Sequence, residues 1–217
     1  MKSVLTLALT ATIGISFLSS AEAAVIDLAA GTATQSSQLG GFAATNATDA
    51  VVNFTHTSNA DLNPTWQVLL GDSYAFDAIE AFNRASSDGA LDCCPSRFRD
   101  ISIQVVNFVG DPALDFTGGT VTFDSGLLNA ENVLGGGTAT SGPVSLSAAP
   151  GGAVGNMIRI IRTIDEDLSG TGGVGNADEG RVLSMDLVTA DGTLIPEPSA
   201  AMFGLLGLLT LAFRRRR

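Results

Sequence analysis

Short stretches in the middle of the chain alternate between apolar and polar residues, and no long amphipathic helical pattern occurs there. Ile101, Ile103 and Val105 alternate with polar residues, which is the two-residue period of a strand with one buried face. Similar runs are separated by clusters of Gly, Asn, Asp and Ser that are typical of turns. The strand candidates are residues 66–70, 78–82, 101–106, 120–123, 157–161 and 182–188. Many short strands predict an all-β domain with two packed antiparallel sheets.

Three glycine-rich stretches are predicted to be loops. They lie at residues 135–137, 151–152 and 170–175. None carries the lysine and the spacing of a phosphate-binding loop. The stretches therefore indicate connections between strands rather than a nucleotide site.

The first 23 residues have the three-part pattern of a secretory signal peptide. A positive start at Met1-Lys2 precedes an apolar run from Val4 to Leu18, and Ala21-Glu22-Ala23 then offers the small-x-small pattern of a signal peptidase site. We therefore expect residues 1–23 to be removed on export and the mature chain to begin at Ala24. The alternative interpretation of the apolar run is a buried N-terminal helix.

The C-terminal residues combine a short motif, an apolar segment and a basic tip. Pro196, Glu197 and Pro198 precede the uncharged residues 199–213, which are followed by the arginines 214–217. The apolar segment has 15 residues, whereas a membrane-spanning helix needs roughly 20. Arginines at its end would stay on the cytoplasmic side of a membrane. An ordinary membrane anchor and a buried hairpin are the alternatives for this segment.

This three-part order resembles the PEP-CTERM sorting signal of Gram-negative bacteria. The resemblance implies that an exosortase-type processing enzyme recognises the Pro-Glu-Pro motif. It also implies that residues 199–217 hold the protein transiently in the inner membrane before delivery to the cell surface or extracellular matrix. Residues 191–198 are expected to link this signal to the mature domain, residues 24–190.

The mature domain is strongly acidic. Residues 24–193 contain 20 acidic residues and six arginines, a net charge of about −14. Such a surface repels nucleic acid and anionic lipid, and it is compatible with neutral glycans and divalent cations. We therefore expect no nucleic-acid partner. Acidity that serves only solubility is the alternative.

Three stretches of the mature domain form an ordered set of motifs. The first is Ala33-Thr34-Gln35-Ser36-Ser37. The second is His56 followed by Asn63-Pro64-Thr65-Trp66-Gln67-Val68-Leu69-Leu70-Gly71, and the third is Asn83-Arg84 followed by Asp92-Cys93-Cys94-Pro95-Ser96-Arg97. Their order resembles the fucolectin branch of the discoidin-like (F5/8 type C) galactose-binding family.

The resemblance implies a β-jelly-roll sandwich that binds fucose or a related sugar in a shallow pocket between loops. It assigns His56, Arg84 and Arg97 to the pocket. It also implies a vicinal disulfide between Cys93 and Cys94 whose face packs on the sugar. The residue types suit such a ligand, because a guanidinium presents several donors in a rigid fork and an imidazole adds one donor or acceptor.

Each pocket residue has a structural alternative. A lone histidine is often a packing residue, and Arg84 could simply offset the acidic surface. Arg97 and Arg99 flank Phe98, and we favour Arg97 as the pocket residue with the other in solvent. Adjacent Cα atoms lie about 3.8 Å apart, below the usual disulfide range of about 4.4–6.8 Å. The bridge would therefore be strained, and two free thiols or an intermolecular bridge are the alternatives.

The sequence also departs from the family pattern. Residues 85–91 lengthen the loop between Arg84 and Asp92, beside the predicted pocket. Thr65 replaces an aromatic residue and Leu69 replaces an aspartate. These changes weaken the expectation of fucose specificity.

A Ca²⁺ site is implied by the same resemblance. Asn46-Ala47-Thr48-Asp49 resembles the family's N-x-x-D turn. Oxygen atoms of this turn and of the segment ending at Asn53, with Asp186 as the nearest late acid, suit a hard cation. A plain Asx turn is the alternative. A second acidic cluster, residues 165–167 with 178–179, is expected to be solvated.

These observations predict an exported, non-catalytic carbohydrate-binding protein whose partner is a glycan or exopolysaccharide. A structural or adhesion protein of the extracellular matrix without sugar affinity is the alternative, and the insertion at residues 85–91 favours it. A hydrolase has little support, because no motif places two carboxylates together in a cleft.

Overall fold

Strands account for nearly all the regular structure of the described residues. The computed structural model describes residues 22–49, 53–84, 98–130, 133, 145–164 and 181–196. Two short 3-10 helices occur within these ranges, at Leu28–Ala30 and Ala44–Ala47. The strands are β1 (Ala24–Val25), β2 (Thr32–Gln35), β3 (Thr65–Asn83), β4 (Ile101–Asn107), β5 (Thr120–Asp124), β6 (Ser145–Ala148), β7 (Ala153–Arg162) and β8 (Met185–Ile195). The predicted all-β class is confirmed.

The long strand β3 belongs to both layers of a β-sandwich. Its first part, from Thr65 to Leu69, pairs with β2 on one side and β7 on the other, and β7 leads on to β4 and β5. Its last part, up to Asn83, pairs with β8 and β6, and β8 leads on to β1. All these pairs are antiparallel. β7 pairs with β3 as far as Phe76, with a register shift between Leu69 and Tyr74, and β8 begins to pair with β3 at Ser73.

The continuity of β3 differs from the sequence expectation. The pattern predicts separate strands at residues 66–70 and 78–82, whereas both lie in one strand of 19 residues. Gly71 and Asp72 are residue types that are common in turns. Here they are exposed at the register shift, where the backbone stays extended. Because β3 gains a new partner strand without a turn, the sequence pattern does not reveal that its two halves are continuous.

The last strand also differs from its predicted bounds. The pattern predicts a strand at residues 182–188 and a linker at 191–198, whereas β8 runs from Met185 to Ile195. Its final residues pair with β3 as far as Ser73 opposite Ile195. Residues 191–195 are therefore part of the sandwich, and this part of the linker assignment is wrong.

The two ends of the chain lie outside the described residues. The signal peptide, Glu197, Pro198 and the apolar segment at residues 199–213 therefore stay predictions. In the part of the chain that the structure describes, no helix is long and apolar enough to cross a bilayer.

One large apolar cluster fills the space between the layers. Ile101, Ile103 and Val105 of β4 are fully buried, as their alternation predicts. They pack in one cluster with Trp66 of β3 and Met185 of β8. Each large apolar side chain buried in this way contributes roughly 1.5–3 kcal/mol, so the core positions the loops at the ends of the strands.

A loop at residues 108–119, here called the covering loop, lies over the outer face of the β2–β3–β7–β4–β5 layer. Gln67 is fully buried beneath it. Its Nε2 donates to the carbonyl oxygens of Pro112 and Asp115, at 2.6 and 3.0 Å. Its Oε1 accepts from Arg159 Nε at 2.9 Å. A buried amide thus anchors the covering loop to the sheet.

The guanidinium of Arg159 strengthens this anchor. Its Nη2 donates to the Gly118 carbonyl oxygen at 2.8 Å. Burial lowers the pKa of Arg159, and attraction to Asp115 opposes that shift. The pKa of Asp115 is itself lowered, because the backbone N–H groups of Thr117 and Gly118 donate to its carboxylate. The covering loop therefore forms a fixed wall on this side of the molecule.

Gln67→Ala is expected to lower the free energy of unfolding by about 2–3 kcal/mol, because two loop carbonyls and the Arg159 Nε–H lose a buried partner. Gln104→Ala is the matched control, since Gln104 donates to the exposed Asp124 at 2.7 Å. We expect this control to cost about 0.5 kcal/mol, as at other surface sites. Urea denaturation measures both, and equal losses would contradict the anchoring role.

Candidate functional site

The predicted pocket histidine lies on an extended segment, residues 53–58, that is hydrogen-bonded on both sides. On one side, backbone N–H groups of the segment donate to the carbonyl oxygens of Met185 and Leu183, at 2.8 and 3.0 Å. On the other side, the His56 N–H donates to the Phe42 carbonyl oxygen at 3.4 Å. The segment is thus held in place between the start of β8 and the loop that carries Phe42.

The His56 ring forms an aromatic cluster with Phe42 and Phe54. The two phenyl rings stack with centroids 4.3 Å apart, and the imidazole lies 6.1 and 6.4 Å from them. His56 is buried, and its Nδ1 donates to the Thr57 carbonyl oxygen at 2.6 Å. A carbonyl oxygen only accepts, so Nδ1 carries a proton in this contact.

Arg84 reaches the same aromatic cluster from the end of β3. Its Cζ lies 4.0 Å from the centroid of the Phe54 ring, which is within the range of a cation–π contact. Its Nε is buried and has no hydrogen-bond partner among the described residues. The structure therefore brings His56 and Arg84 to one aromatic cluster.

A side-chain amide fixes the loop that carries Phe42. Gln35 Nε2 donates to the carbonyl oxygens of Phe42 and His56, at 2.9 and 3.4 Å. Its Oε1 is buried and accepts no hydrogen bond from a described residue. Gln35 thus joins the two backbone segments from which the aromatic cluster projects.

The two serines after Gln35 close the neighbouring loop. The Ser36 hydroxyl donates to Asp61 Oδ2 at 2.6 Å, and the Ser37 hydroxyl donates to the same oxygen. The serine oxygens in turn accept from the backbone N–H groups of Thr65 and Ser58, each at 2.9 Å. Ser36 and Ser37 therefore fix the loop that follows β2 beside the aromatic cluster.

Other predicted pocket residues lie outside the described part of the chain. These are Arg97, Cys93 and Cys94, together with the insertion at residues 85–91. The expectation that Arg99 lies in solvent is wrong, since Arg99 is 1% exposed. Its Nε donates to Asp100 Oδ2 at 2.7 Å.

Asn46 and Asp186, two of the candidate cation ligands, lie on elements that contact each other. The 3-10 helix that contains Asn46 packs against β8, which contains Asp186. Asn46 Nδ2 donates to the Phe54 carbonyl oxygen at 2.9 Å, which leaves its Oδ1 as an acceptor. Asp186 Oδ1 is buried without a hydrogen-bond partner among the described residues. Burial raises the pKa of Asp186.

The other two candidate ligands are more exposed. Asp49 lies on the surface, and Asn53 Oδ1 accepts from the Phe54 N–H at 2.9 Å. Within the described ranges, no group of three or more His, Cys, Asp or Glu residues could hold a metal ion. A cation here would therefore depend on amide and backbone oxygens in addition to Asp186.

Several solved sugar-binding domains share this architecture. An F-lectin (fucolectin) from striped bass (Morone saxatilis) serum matches with a TM-score of 0.52 and 17% identity, over 79% of this chain and 48% of that one. The fold is a galactose-binding-like β-sandwich. A fucose-binding module of Streptococcus pneumoniae gives 0.51 and 16%, over 76% and 94% of the two chains. The family 32 CBM of C. perfringens NanJ, in complex with galactose, gives 0.50 and 16%, over 78% and 99%.

At these identities the likeness establishes the galactose-binding-like fold alone. The chain spans about half the length of the striped bass fucolectin (48%). No protein-family model and no curated protein matches the sequence. The sandwich is thus shared with sugar-binding domains, while the site must be argued from its own residues.

Sequence reasoning missed Phe42 and Phe54 as parts of the site. Both lie outside the strand candidates, where a single phenylalanine has no periodic signal. The only available hint was that Phe54 lies two residues before His56, so both side chains share one side of an extended segment.

Proposed function

We propose that the chain is an exported, non-catalytic carbohydrate-binding protein that associates with the cell surface or extracellular polysaccharide. The observation that carries sugar binding is the buried Arg84 Nε–H, unpartnered among the described residues, against the ring of Phe54. A buried donor without an acceptor costs roughly 1–3 kcal/mol. A sugar hydroxyl or ring oxygen would remove that cost by accepting from it.

The rest of the cluster suits the same ligand class. The stacked rings of Phe42 and Phe54 offer an apolar face for the C–H patch of a sugar ring. Structural neighbours were solved with Lewis b and with galactose, which supports a glycan ligand for this chain.

We propose a non-catalytic function because the described groups at the aromatic cluster do not form a catalytic arrangement. They are a guanidinium, an imidazole and two phenyl rings, and none pairs a nucleophile with a base. His56 is the one histidine of the sequence, and its Nδ1 bonds a backbone carbonyl rather than an orienting carboxylate.

A glycan array and isothermal titration calorimetry test the proposed function. The calorimetric panel is fucose, galactose, GalNAc-β-1,3-galactose and Lewis b. We expect saturable binding to at least one neutral sugar and no release of reducing sugar from any polysaccharide. If the purified protein binds no glycan, the matrix or adhesion protein without sugar affinity is the better account.

We also propose that Ca²⁺ stabilises the loop between Asn46 and Asn53. Asp186 Oδ1 is buried without a hydrogen-bond partner among the described residues, which supports this, because a buried carboxylate oxygen needs a cation or a donor. Asn46, Asp49 and Asp186 would hold the ion, with oxygen ligands that a hard cation prefers. Ca²⁺ would supply charge neutralisation there and no chemistry.

Ca²⁺ at 100 times its dissociation constant is expected to raise the melting temperature by about 5–10 °C. Asp186→Asn should abolish the rise, because it removes the charge from the buried ligand. Asp191→Asn, on the exposed part of β8, is the matched control and should keep it. Differential scanning calorimetry with Ca²⁺ and with chelator measures the shift, and an equal rise in both variants would exclude Asp186 as a ligand.

Export remains part of the proposal through the two end segments. Cleavage before Ala24 and processing near Pro196–Pro198 by an exosortase-type enzyme would deliver residues 24–195 to the surface. The mass of the protein recovered from the producing bacterium tests this. A mass that includes residues 1–23 would contradict export by this route.

A further inference from the structure

A concave site lies next to the loop that carries Phe42. It is a hollow of about 320 Å³ between β2, residues 37–45 and the covering loop. Small-ligand sites begin at about 300 Å³, so the volume suits one small group. Four alanines and five Ser, Thr or Gln residues line it, so none of its described lining residues is charged. In a domain with 20 acidic residues against six arginines, an uncharged hollow is a distinct chemical environment.

The hollow and the aromatic cluster share structural elements. Gln35 lines the hollow, and its amide donates to the carbonyl oxygens of Phe42 and His56. Ala43 and Ala44, which directly follow Phe42, also line the hollow. A ligand at the aromatic cluster therefore has this hollow as its neighbour along the loop.

We infer that the hollow is a second subsite for a neutral sugar residue, so that the site binds an oligosaccharide segment rather than one terminal monosaccharide. This inference rests on the proposed function. The wall of the hollow carries both methyl groups and hydroxyl or amide groups, which match the C–H and O–H groups of a sugar. Gln35 Oε1 contributes a buried acceptor that lacks a described donor.

The far wall of the hollow is pre-organised. Ala113 lines the hollow from the covering loop, and its N–H donates to Asp111 Oδ1 at 2.9 Å. The adjacent Pro112 carbonyl oxygen accepts from Gln67 and from Thr34, at 2.6 and 3.0 Å. A wall fixed in this way needs little ordering when a ligand binds.

Filling the hollow tests the inference. Ala113→Trp places a bulky ring in it, and Leu114→Trp is the matched control, because Leu114 is 83% exposed in the same loop and does not line the hollow. Calorimetry compares fucose and galactose with Lewis b and GalNAc-β-1,3-galactose. Thermal unfolding of both variants establishes that they fold.

The wild type should bind an oligosaccharide of this panel about tenfold more tightly than the monosaccharides, and Ala113→Trp should remove that difference. Monosaccharide affinity should stay within about twofold in both variants, and Leu114→Trp should keep the oligosaccharide preference. Wild-type binding of monosaccharides without a preference for the oligosaccharides, or a preference that survives Ala113→Trp, would overturn the subsite alone. Failure of the wild type to bind any sugar would overturn the proposed function and the subsite with it.

Discussion

Trp66→Ala is expected to lower the free energy of unfolding by about 3–5 kcal/mol, the usual cost of removing a fully buried tryptophan side chain. Trp66 is fully buried between the layers. Its Nε1 donates to the Ala44 carbonyl oxygen at 2.9 Å. The side chain thus fills the core and also ties down the 3-10 helix that carries Asn46.

Trp66→Phe separates these two contributions. It keeps an aromatic ring in the core and removes the N–H, so the Ala44 carbonyl oxygen loses its donor. We expect it to cost about 1–3 kcal/mol, the range for an unsatisfied buried acceptor. Urea denaturation of both variants measures the free energies. A loss below about 1.5 kcal/mol for Trp66→Ala would contradict the central place of this residue in the core.

Arg84→Gln is expected to weaken sugar binding by about 10–100-fold, because hydrogen bonds from charged groups contribute roughly 1.5–3 kcal/mol. Arg84→Lys should weaken it nearly as much, since lysine keeps the charge but lacks the Nε–H and the planar fork. Titration calorimetry with the sugar that the wild type binds measures both variants. Thermal unfolding confirms that both remain folded.

The lysine variant distinguishes binding from a purely electrostatic role. If Arg84 only offsets the acidic surface, Arg84→Lys should bind sugar as the wild type does. Wild-type affinity in both variants would remove Arg84 from the site altogether. His56 is a less suitable target, because its Nδ1–H also holds the Thr57 carbonyl oxygen.

The strand pattern of the sequence predicts the interior of the fold better than its edges. The alternation in β4 identifies the core-facing side, because Ile101, Ile103 and Val105 all enter the core. The short strands β1 and β2 have no such signal, since pairing with β8 and β3 and not their own composition makes them strands. The partner change within β3 is likewise a tertiary effect that local propensity does not encode.

The site divides in the same way between predictable and unpredictable parts. The order of the motifs predicts His56 and Arg84 as site residues, and both contact the aromatic cluster. It does not reveal Phe42, which reaches the cluster through a loop held by Gln35. Nor does it reveal that Arg99 is an internal ion-pair residue, because burial of a charge depends on the partner Asp100 and the surrounding packing.

The most direct test of Arg84 as a sugar ligand is a titration followed in a nitrogen–proton correlation spectrum. A sugar that binds by calorimetry is added while the Arg84 Nε–H resonance is recorded. We predict that this resonance shifts and that its titration curve gives the dissociation constant measured by calorimetry, because the ligand supplies the acceptor that the described residues do not. An unchanged Arg84 resonance at saturating sugar would contradict it, since the sugar would then bind elsewhere on the sandwich.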